Sequence, residues 1–286
     1  MTEASKTSEV ATRSLADLRA EIDRVDEAIH ALIVERGETI QELIAIKRTQ
    51  ESGSAFRPAR EAEMMRRLVQ RHRGMLPLDT IESIWRVMIA TFTYVQAPYC
   101  VHADLSIGDA LMRDSARFHF GFTVPLITHV GASAVVLGVA ASKGDLGLVP
   151  ASAVAGTGPW WGALEGDKAP KIIARLPFVE RSDHPASLPL FVISRPVVKD
   201  AAAHDVECWS IKVSGWSAAA ARSLSPLADA LAVPDGAFDG AALLVSLGAG
   251  RKIAEVTDAL DAAGVSVRSS ALVGGHANRY TVSPGA

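Results

Sequence analysis

Residues 15–47 hold the most constraining pattern in this chain, an apolar stripe with the spacing of a single long helix. The apolar residues recur at intervals of three and four, at Leu18, Ile22, Val25, Ile29, Leu32 and Ile33 and then at Ile40, Leu43 and Ile44. This rhythm is typical of an amphipathic α-helix with one face to bury. We therefore expect a helix from Ser14 to about Gln50, roughly 55 Å long. Two shorter helices would not cover a stripe of that length.

Two cations stand on the stripe where apolar residues would continue it. Arg36 follows Leu32 and Ile33 by one turn, and Lys47 follows Leu43 and Ile44 in the same way. Burying a charge costs several kcal/mol unless something pairs with it. The two cations lie eleven residues apart, so they share a face about 16 Å apart. They either clamp one small dianion between them or extend their charged ends outward and cover the stripe with their methylenes.

Two further helices are predicted before residue 98. Pro58 suits the first turn of a helix, and the segment from Arg57 to Glu61 runs directly into a helical stretch from Ala62 to Arg73. A third helix is expected from about Asp79 to Gln96, after Pro77. Its apolar residues fall on one face, at Ile81, Ile84, Trp85, Met88, Ile89 and Phe92. The order is one long, one short and one medium helix.

Five motifs in these helices occur together in one known family. They are L-x-x-L-R-x-x-I-D-x-x-D from Leu15 to Asp26, the pair Glu35 and Arg36, the run from Leu43 to Lys47, R-P-x-R-E-A-E from Arg57 to Glu63, and the terminal Gln96. With them, residues 14–97 resemble the all-helical chorismate mutases. The resemblance implies conversion of chorismate to prephenate in aromatic amino-acid biosynthesis. That pericyclic rearrangement needs no nucleophile, general base, metal or cofactor.

The resemblance also implies a set of site residues. It places Arg19, Arg36 and Arg60 around the two substrate carboxylates and Glu61 on the ring hydroxyl, while Lys47 and Gln96 donate hydrogen bonds to the ether oxygen. Of these, Lys47, Gln96 and Arg36 would be the catalytic residues, because an enzyme can assist this reaction by holding a compact conformer and stabilising charge on the breaking C–O bond. Singly, each has an ordinary explanation: Arg19 and Arg60 as solvated charges, Glu61 as a first-turn acid and Gln96 as a helix-end residue.

The spacing of two of these residues predicts a dimer. Arg19 and Arg36 lie seventeen residues apart, or roughly 25 Å along a continuous helix, which is too far for both to touch one small ligand. If both serve one site, Arg19 comes from a second chain. An intertwined homodimer would also cover the long apolar stripe, and the family resemblance implies the same arrangement.

Two positions depart from the family pattern. Arg57 stands where many relatives have an acidic residue, which alters the charge at the edge of the site. Phe92 occupies the position, one turn before Gln96, where the family usually places a serine that touches a carboxylate. Loss of that hydroxyl removes a hydrogen bond worth about 0.5 to 1.5 kcal/mol. We expect reduced but not abolished activity.

Composition excludes several other classes of protein. The 286 residues carry a formal net charge of -3, so there is no basic excess to suggest a nucleic-acid partner. Only Cys100 and Cys208 occur, which fits a reducing compartment. Residues 1–13 are polar and are expected to form a disordered tail, not a signal peptide. The most apolar run, from Gly131 to Ser142, is too short to span a bilayer. We therefore expect a cytoplasmic protein with no membrane partner.

After Pro98 the pattern changes to short apolar runs separated by turn residues, which indicates an α/β region. Strands are predicted at Phe118 to Val124, Leu146 to Val149, Leu190 to Ile193, Trp209 to Val213, Ala242 to Leu247 and Val265 to Ser269. Helices are predicted at Ala132 to Ala141, Ala218 to Ala232 and Lys252 to Ala263. The fold class is thus multi-domain: an all-α mutase domain at residues 14–97, a dehydratase-like α/β domain at residues 99–200, and an α+β segment at residues 205–286.

The α/β region resembles, weakly, the catalytic domain of prephenate dehydratase. The resemblance rests on G-D-L-G-L-V-P from Gly144 to Pro150 and L-P-L-F-V-I-S from Leu188 to Ser194. Where the dehydratase pattern has Thr-Arg-Phe, this chain has Pro189, Leu190 and Phe191, so a domain without dehydratase activity is expected. The segment from Ala241 to Val282 is similar to half of an ACT-type regulatory module. No pair of histidines has metal-ligand spacing, and no metal site is predicted.

Two alternatives to the mutase hypothesis remain open. One is a non-catalytic protein that binds an aromatic metabolite, in which Arg57 and Phe92 mark a decayed site. The other is a bifunctional mutase and prephenate dehydratase.

Overall fold

The computed structural model describes residues 13–47, 55–152, 158–196, 204–237 and 239–282. The predicted tail at residues 1–13 lies outside these ranges except for Arg13. The chain divides into two compact units, the first ending at Arg48 and the second beginning at Thr49. Within the described ranges, none of the helices combines the length and apolar composition that crossing a lipid bilayer requires.

In the first unit, the described residues form one unbroken helix, α1 (Leu15–Lys47), of 33 residues. Ser14 starts it by a reciprocal cap: Ser14 Oγ accepts from the Asp17 N–H at 3.1 Å, and Asp17 Oδ2 accepts from the Ser14 N–H at 3.0 Å. The predicted long helix is confirmed over this range, and its last three predicted positions lie outside the described residues. The apolar stripe is 39% to 63% exposed at six positions, namely Leu18, Ile22, Val25, Ile29, Leu32 and Ile33.

The second unit opens with α2 (Pro58–Arg71) and α3 (Leu78–Gln96). Pro58 occupies the first turn of α2 as expected. The helices bury Met65, Leu68 and Ile89 in the same hydrophobic core as Val101 and Leu148 of the following strands. Packing is therefore continuous across Pro98, where the composition changes. The predicted domain boundary between residues 97 and 99 stays a prediction from sequence.

The rest of the second unit, as described, contains a nine-stranded sheet. Its strands are β1 (Val101–Asp104), β2 (Leu126–His129), β3 (Leu146–Pro150), β4 (Lys171–Leu176), β6 (Leu190–Ser194), β7 (Val206–Ser214), β8 (Asp229–Pro234), β9 (Gly240–Gly248) and β10 (Ser266–His276), in the order β2-β1-β3-β6-β4-β10-β7-β9-β8. The short strands β5 (Val179–Glu180) and β11 (Tyr280–Thr281) pair separately. Helices α4 (Asp109–Phe120) and α5 (Ala132–Ala141) connect the parallel strands β1, β2 and β3.

The C-terminal half has the βαββαβ order of a ferredoxin-like unit. The helices α6 (Ala218–Leu224) and α7 (Ile253–Ala262) follow β7 and β9, and the four strands lie in the order β10-β7-β9-β8. The sequence predicts only the second half of such a module. The predicted helix from Ala218 to Ala232 is wrong after Leu224, because Pro226 lacks the N–H that would continue the helix and residues 229–234 pair with β9 instead.

One predicted strand is also wrong. Residues 118–120 end helix α4 and are followed by Gly121 at φ +67°, so no strand spans Phe118 to Val124. The helical period explains the error, since Met112, Ala116 and Phe120 are buried four residues apart. The other predicted elements are confirmed to within a few residues at their ends, except that β10 continues to His276.

The two halves of the sheet meet at Gly274. This residue pairs with Ile172 of β4 in parallel register. Gly274 has φ +128°, and a Cβ built there would lie 2.1 Å from the carbonyl oxygen of Ile172. Glycine is therefore required both by the backbone conformation and by the close approach of the two strands.

Candidate functional site

Helix α1 carries three of the predicted site residues. Arg19 is exposed near its start and Arg36 is partly buried further along. Lys47 is its last residue, and the Lys47 side chain lies outside the described residues. Because α1 is unbroken between Arg19 and Arg36, these two residues are about 25 Å apart along the axis. The structure therefore does not bring the Arg19 and Arg36 of one chain together.

Helices α2 and α3 in the second unit carry the other three predicted residues. Arg60 is exposed in the first turn of α2, and Glu61, the next residue, is only 4% exposed. Gln96 ends α3, and its Nε2 donates to the backbone oxygen of Phe92 at 3.1 Å. Arg57 precedes α2 and donates from Nη1 to the backbone oxygen of Phe56 at 3.1 Å.

The carboxylate of Glu61 forms a buried ion pair with Arg86 of α3. Arg86 Nη1 donates to Glu61 Oε2 at 2.7 Å, and no part of the Arg86 side chain is exposed. Arg86 Nη2 also donates to the backbone oxygen of His119 at the end of α4, at 3.1 Å. The guanidinium carbon lies 5.0 Å from the ring centroid of Phe178. One arginine thus joins α2, α3, α4 and the segment after β4.

A second buried pair lies beside this one. His184 and Glu82 of α3 are 3.3 Å apart, and both side chains are fully buried. His184 Nδ1 accepts the Ala186 N–H at 3.0 Å, so in a neutral ring Nε2 carries the proton and donates to Glu82. The rings of His184 and His119 are stacked 6.2 Å apart. Together these contacts make one polar cluster in the core, which consists of Glu61, Arg86, His119, His184 and Glu82.

Burial sets the protonation of this cluster. It raises the pKa of the Glu61 carboxyl, an effect that the charge and hydrogen bond of Arg86 oppose. Burial also lowers the pKa of His119 well below its ordinary value, and the nearby Arg86 and His184 act in the same direction. The pKa of the Tyr99 hydroxyl is raised by burial and by the charge on Glu61. His119 and Tyr99 are therefore neutral around Arg86.

Sequence reasoning missed Arg86, although one signal was present. The buried positions of α3 are Glu82, Arg86, Ile89, Ala90 and Thr93. Glu82 and Arg86 are one turn apart, and Arg86 precedes Ile89 by three residues. The two polar residues therefore lie on the same face of α3 as the buried Ile89. The predicted apolar face is less buried, and Ile84 on it is 49% exposed. The face predicted from apolar spacing therefore overlaps the buried face of α3 at Ile89 but does not include Glu82 or Arg86.

Another imidazole chain lies at the parallel end of the sheet. His102 lies on β1, and its Nδ1 is hydrogen-bonded to Nε2 of His129 at 2.7 Å. Its Nε2 lies 3.1 Å from Asp145 Oδ2. Asp104 at the end of β1 accepts the Gly131 N–H at 2.9 Å. Among the residues that the structure describes, no group of three or more His, Cys, Asp or Glu side chains is arranged to hold a metal ion.

Comparisons with known proteins agree with the prediction for the helical part. Residues 18–97 match the family model for chorismate mutase type II. The chain is 29% identical over 140 residues to a bifunctional chorismate mutase/prephenate dehydratase of Pseudomonas aeruginosa, and 28% identical over 140 residues to a protein of the same description from Stutzerimonas stutzeri. Each alignment covers 48% of this chain and 38% of the relative, so the matched stretch spans about two fifths of those proteins.

A solved structure is similar over a larger share of the chain. The prephenate dehydratase from Streptococcus mutans matches 63% of this chain and 98% of its own, with 10% identity and a TM-score of 0.35. The match to the family model for chorismate mutase type II covers α1 from Leu18 onward and the whole of α2 and α3.

Proposed function

We propose that this chain is a chorismate mutase, which converts chorismate to prephenate. The observation that carries the proposal is the family match over residues 18–97. That range includes all six predicted site residues: Arg19, Arg36, Lys47, Arg60, Glu61 and Gln96. The shift of bonds within one molecule needs no external nucleophile or base. The residues contribute by binding one compact conformer and stabilising charge in the transition state.

Each predicted residue has a role that suits its type. The guanidinium groups of Arg19, Arg36 and Arg60 pair with the two substrate carboxylates. Lys47 and Gln96 donate to the ether oxygen, where negative charge develops as the C–O bond breaks. Gln96 Nε2 donates to Phe92 in the structure, so it exchanges a backbone oxygen for the substrate. Glu61 contacts Arg86, and its assignment to the ring hydroxyl rests on the family resemblance alone.

The proposed functional form is a homodimer in which α1 of each chain packs against the other. Two features support it. The apolar stripe of α1 is exposed over about four turns in the single chain, from Leu18 to Ile33, and a 33-residue helix is about 50 Å long. In addition, Arg19 and Arg36 reach one small substrate only if Arg19 comes from the partner chain. A second copy supplies both the apolar cover and the missing arginine.

Loss of chorismate absorbance with purified protein tests the activity directly. We expect saturable turnover, and a decrease of at least about 100-fold in Lys47→Ala, because that substitution removes a donor to the ether oxygen. Lys168→Ala is the matched control, since Lys168 is an exposed lysine outside the mutase helices. Absence of turnover, with chorismate still bound, would instead support a non-catalytic binding protein whose site Arg57 and Phe92 have altered.

The bifunctional relatives raise a second candidate activity, the dehydration of prephenate. The α/β region lacks the Thr-Arg-Phe pattern, and the two side chains in its place that lie on β6, Leu190 and Phe191, are buried in the core. We propose that this region has no dehydratase activity. Phenylpyruvate formed from prephenate by the purified chain would overturn this and establish the bifunctional alternative.

A further inference from the structure

A cleft of about 400 Å³ lies where the ferredoxin-like half of the sheet meets β4. Several strands supply its polar lining: Arg175 on β4, Asp229 at the start of β8, Ser246 on β9 and His276 at the end of β10. Arg279 and Glu180 complete one side. Sites for small molecules occupy about 300 to 1,000 Å³ and place a few polar groups on their walls. The cleft has the size of a small-ligand site and a largely polar lining.

Two largely buried arginines provide its charge. The side chains of Arg175 and Arg279 are 15% and 18% exposed. Arg175 Nη1 is 3.4 Å from Asp229 Oδ2, and Arg279 Nη1 is 2.8 Å from Glu180 Oε1. The Asp229 side chain is 80% exposed, so it holds Arg175 only weakly. Arg175 Nε is buried with no hydrogen-bond partner among the described residues. These donors favour an anionic group.

His276 provides an acceptor at the same place. Its Nδ1 lies 2.9 Å from the backbone oxygen of Ala277. A carbonyl oxygen only accepts, so Nδ1 carries the proton. Burial lowers the pKa of His276 to about 4, and the ring is therefore neutral near pH 7, with a lone pair on Nε2. Nε2 is buried and has no partner in the described part of the chain.

We propose that this cleft binds a small hydroxycarboxylate. Its carboxylate oxygens pair with Arg175 and Arg279, and its hydroxyl donates to Nε2 of His276. A carboxylate without a hydroxyl leaves Nε2 unpaired, and a buried unpaired acceptor weakens binding. An ammonium group also donates to Nε2, but it adds a cation beside Arg175 and Arg279, and the largely exposed Asp229 offsets the charge of Arg175 only weakly at 3.4 Å. The site belongs to the α/β region and does not depend on mutase activity.

Calorimetric titration of the full chain with two probes tests the proposal without any substitution. Malate and succinate are both dicarboxylates and differ by one hydroxyl. We expect malate to bind, and to bind about 2- to 10-fold more tightly than succinate, because one neutral hydrogen bond is gained. Equal affinity would overturn the role of His276, and no binding of malate at about 1 mM would overturn the site. Aspartate binding as tightly as malate would overturn the choice of a hydroxyl.

A pair of charge-matched variants locates the binding. Arg279→Gln removes one of the two proposed carboxylate contacts, and we expect it to weaken malate binding roughly 10-fold or more. Arg251→Gln removes the same charge from an exposed arginine that pairs with Glu255 outside the cleft, and malate affinity should stay unchanged. Equal losses in the two variants would mean that malate senses only overall charge, which would contradict the assignment.

Discussion

Arg86 Nη1 lies 2.7 Å from Glu61 Oε2, and this ion pair joins α3 to α2 with 0% and 5% of the two side chains exposed. Removing one member of a buried pair leaves the other charge without compensation. The pair therefore connects the predicted site residue Glu61 with the core that helices α2 and α3 share with the α/β region.

Substitution Arg86→Met should destabilise the protein by about 3 to 5 kcal/mol, because Glu61 remains buried without its partner. The free energy of unfolding in urea measures this. In the double variant Arg86→Met with Glu61→Gln, a large part of the loss should return, since no buried charge is left. Arg67→Met is the control: it breaks an exposed pair with Glu63 and should change stability by less than about 1 kcal/mol. A small effect of Arg86→Met would contradict the pairing.

Substitution Gly274→Ala should cost about 2 to 5 kcal/mol, because the new methyl group meets the backbone of Ile172 and the residue has φ +128°. Thermal and urea unfolding would measure the loss. Gly248→Ala serves as the comparison, since Gly248 has ordinary φ and no atom within 4 Å of the added Cβ. Similar stability of the two variants would show that β10 and β4 are not in close contact.

Stability should decrease as the pH falls from about 6.5 toward 4, partly because of His276. Its pKa in the folded protein is about 4, against an ordinary value of 6.5. Between these values the unfolded chain binds a proton that the folded chain does not, which favours unfolding. The full effect is about 3 kcal/mol at roughly 1.4 kcal/mol per pH unit.

Urea unfolding at a series of pH values tests this, with His276→Gln as the variant. The slope of stability against pH should become smaller in His276→Gln but should not vanish, because burial also lowers the pKa of His119. Substitution of the exposed His30 should leave the slope unchanged. If His276→Gln and the parent protein have the same slope, His276 is not buried as a neutral ring.

Mixing two inactive variants tests whether Arg19 acts across a dimer. Arg19→Ala and Arg36→Ala should each lose most of the mutase activity. In a mixed dimer, one of the two sites receives an intact Arg36 from one chain and an intact Arg19 from the other. An equal mixture, refolded together, should therefore recover about a quarter of the parent activity. Recovery should be absent when either variant is refolded alone, and no recovery in the mixture would mean that the two arginines do not serve one site across the interface.

Local patterns predict much of the fold but fail where long-range pairing decides. The period of α1, the proline at the start of α2 and the apolar runs of β3, β6 and β9 are signals within a few residues, and these elements are confirmed. The predicted helix extends to Ala232 because the segment is rich in alanine and leucine, yet Pro226 stops the helix and residues 229–234 form β8 by pairing with β9. No local signal reports that partner, since secondary-structure propensity yields to tertiary contacts.

The candidate sites likewise depend partly on local sequence patterns and partly on long-range contacts. From the sequence alone, the helix period predicted the three helices before residue 98, because it fixes which side chains share a face and how far apart they lie. The six predicted site residues came from the resemblance to the chorismate mutases, residue by residue. Only the tertiary structure paired Glu61 with Arg86, 25 residues away on another helix. It also placed Arg175, His276 and Arg279 around one cleft. Such groupings depend on how separate elements pack and on which charges burial leaves to be paired, and neither is encoded in the spacing of one segment.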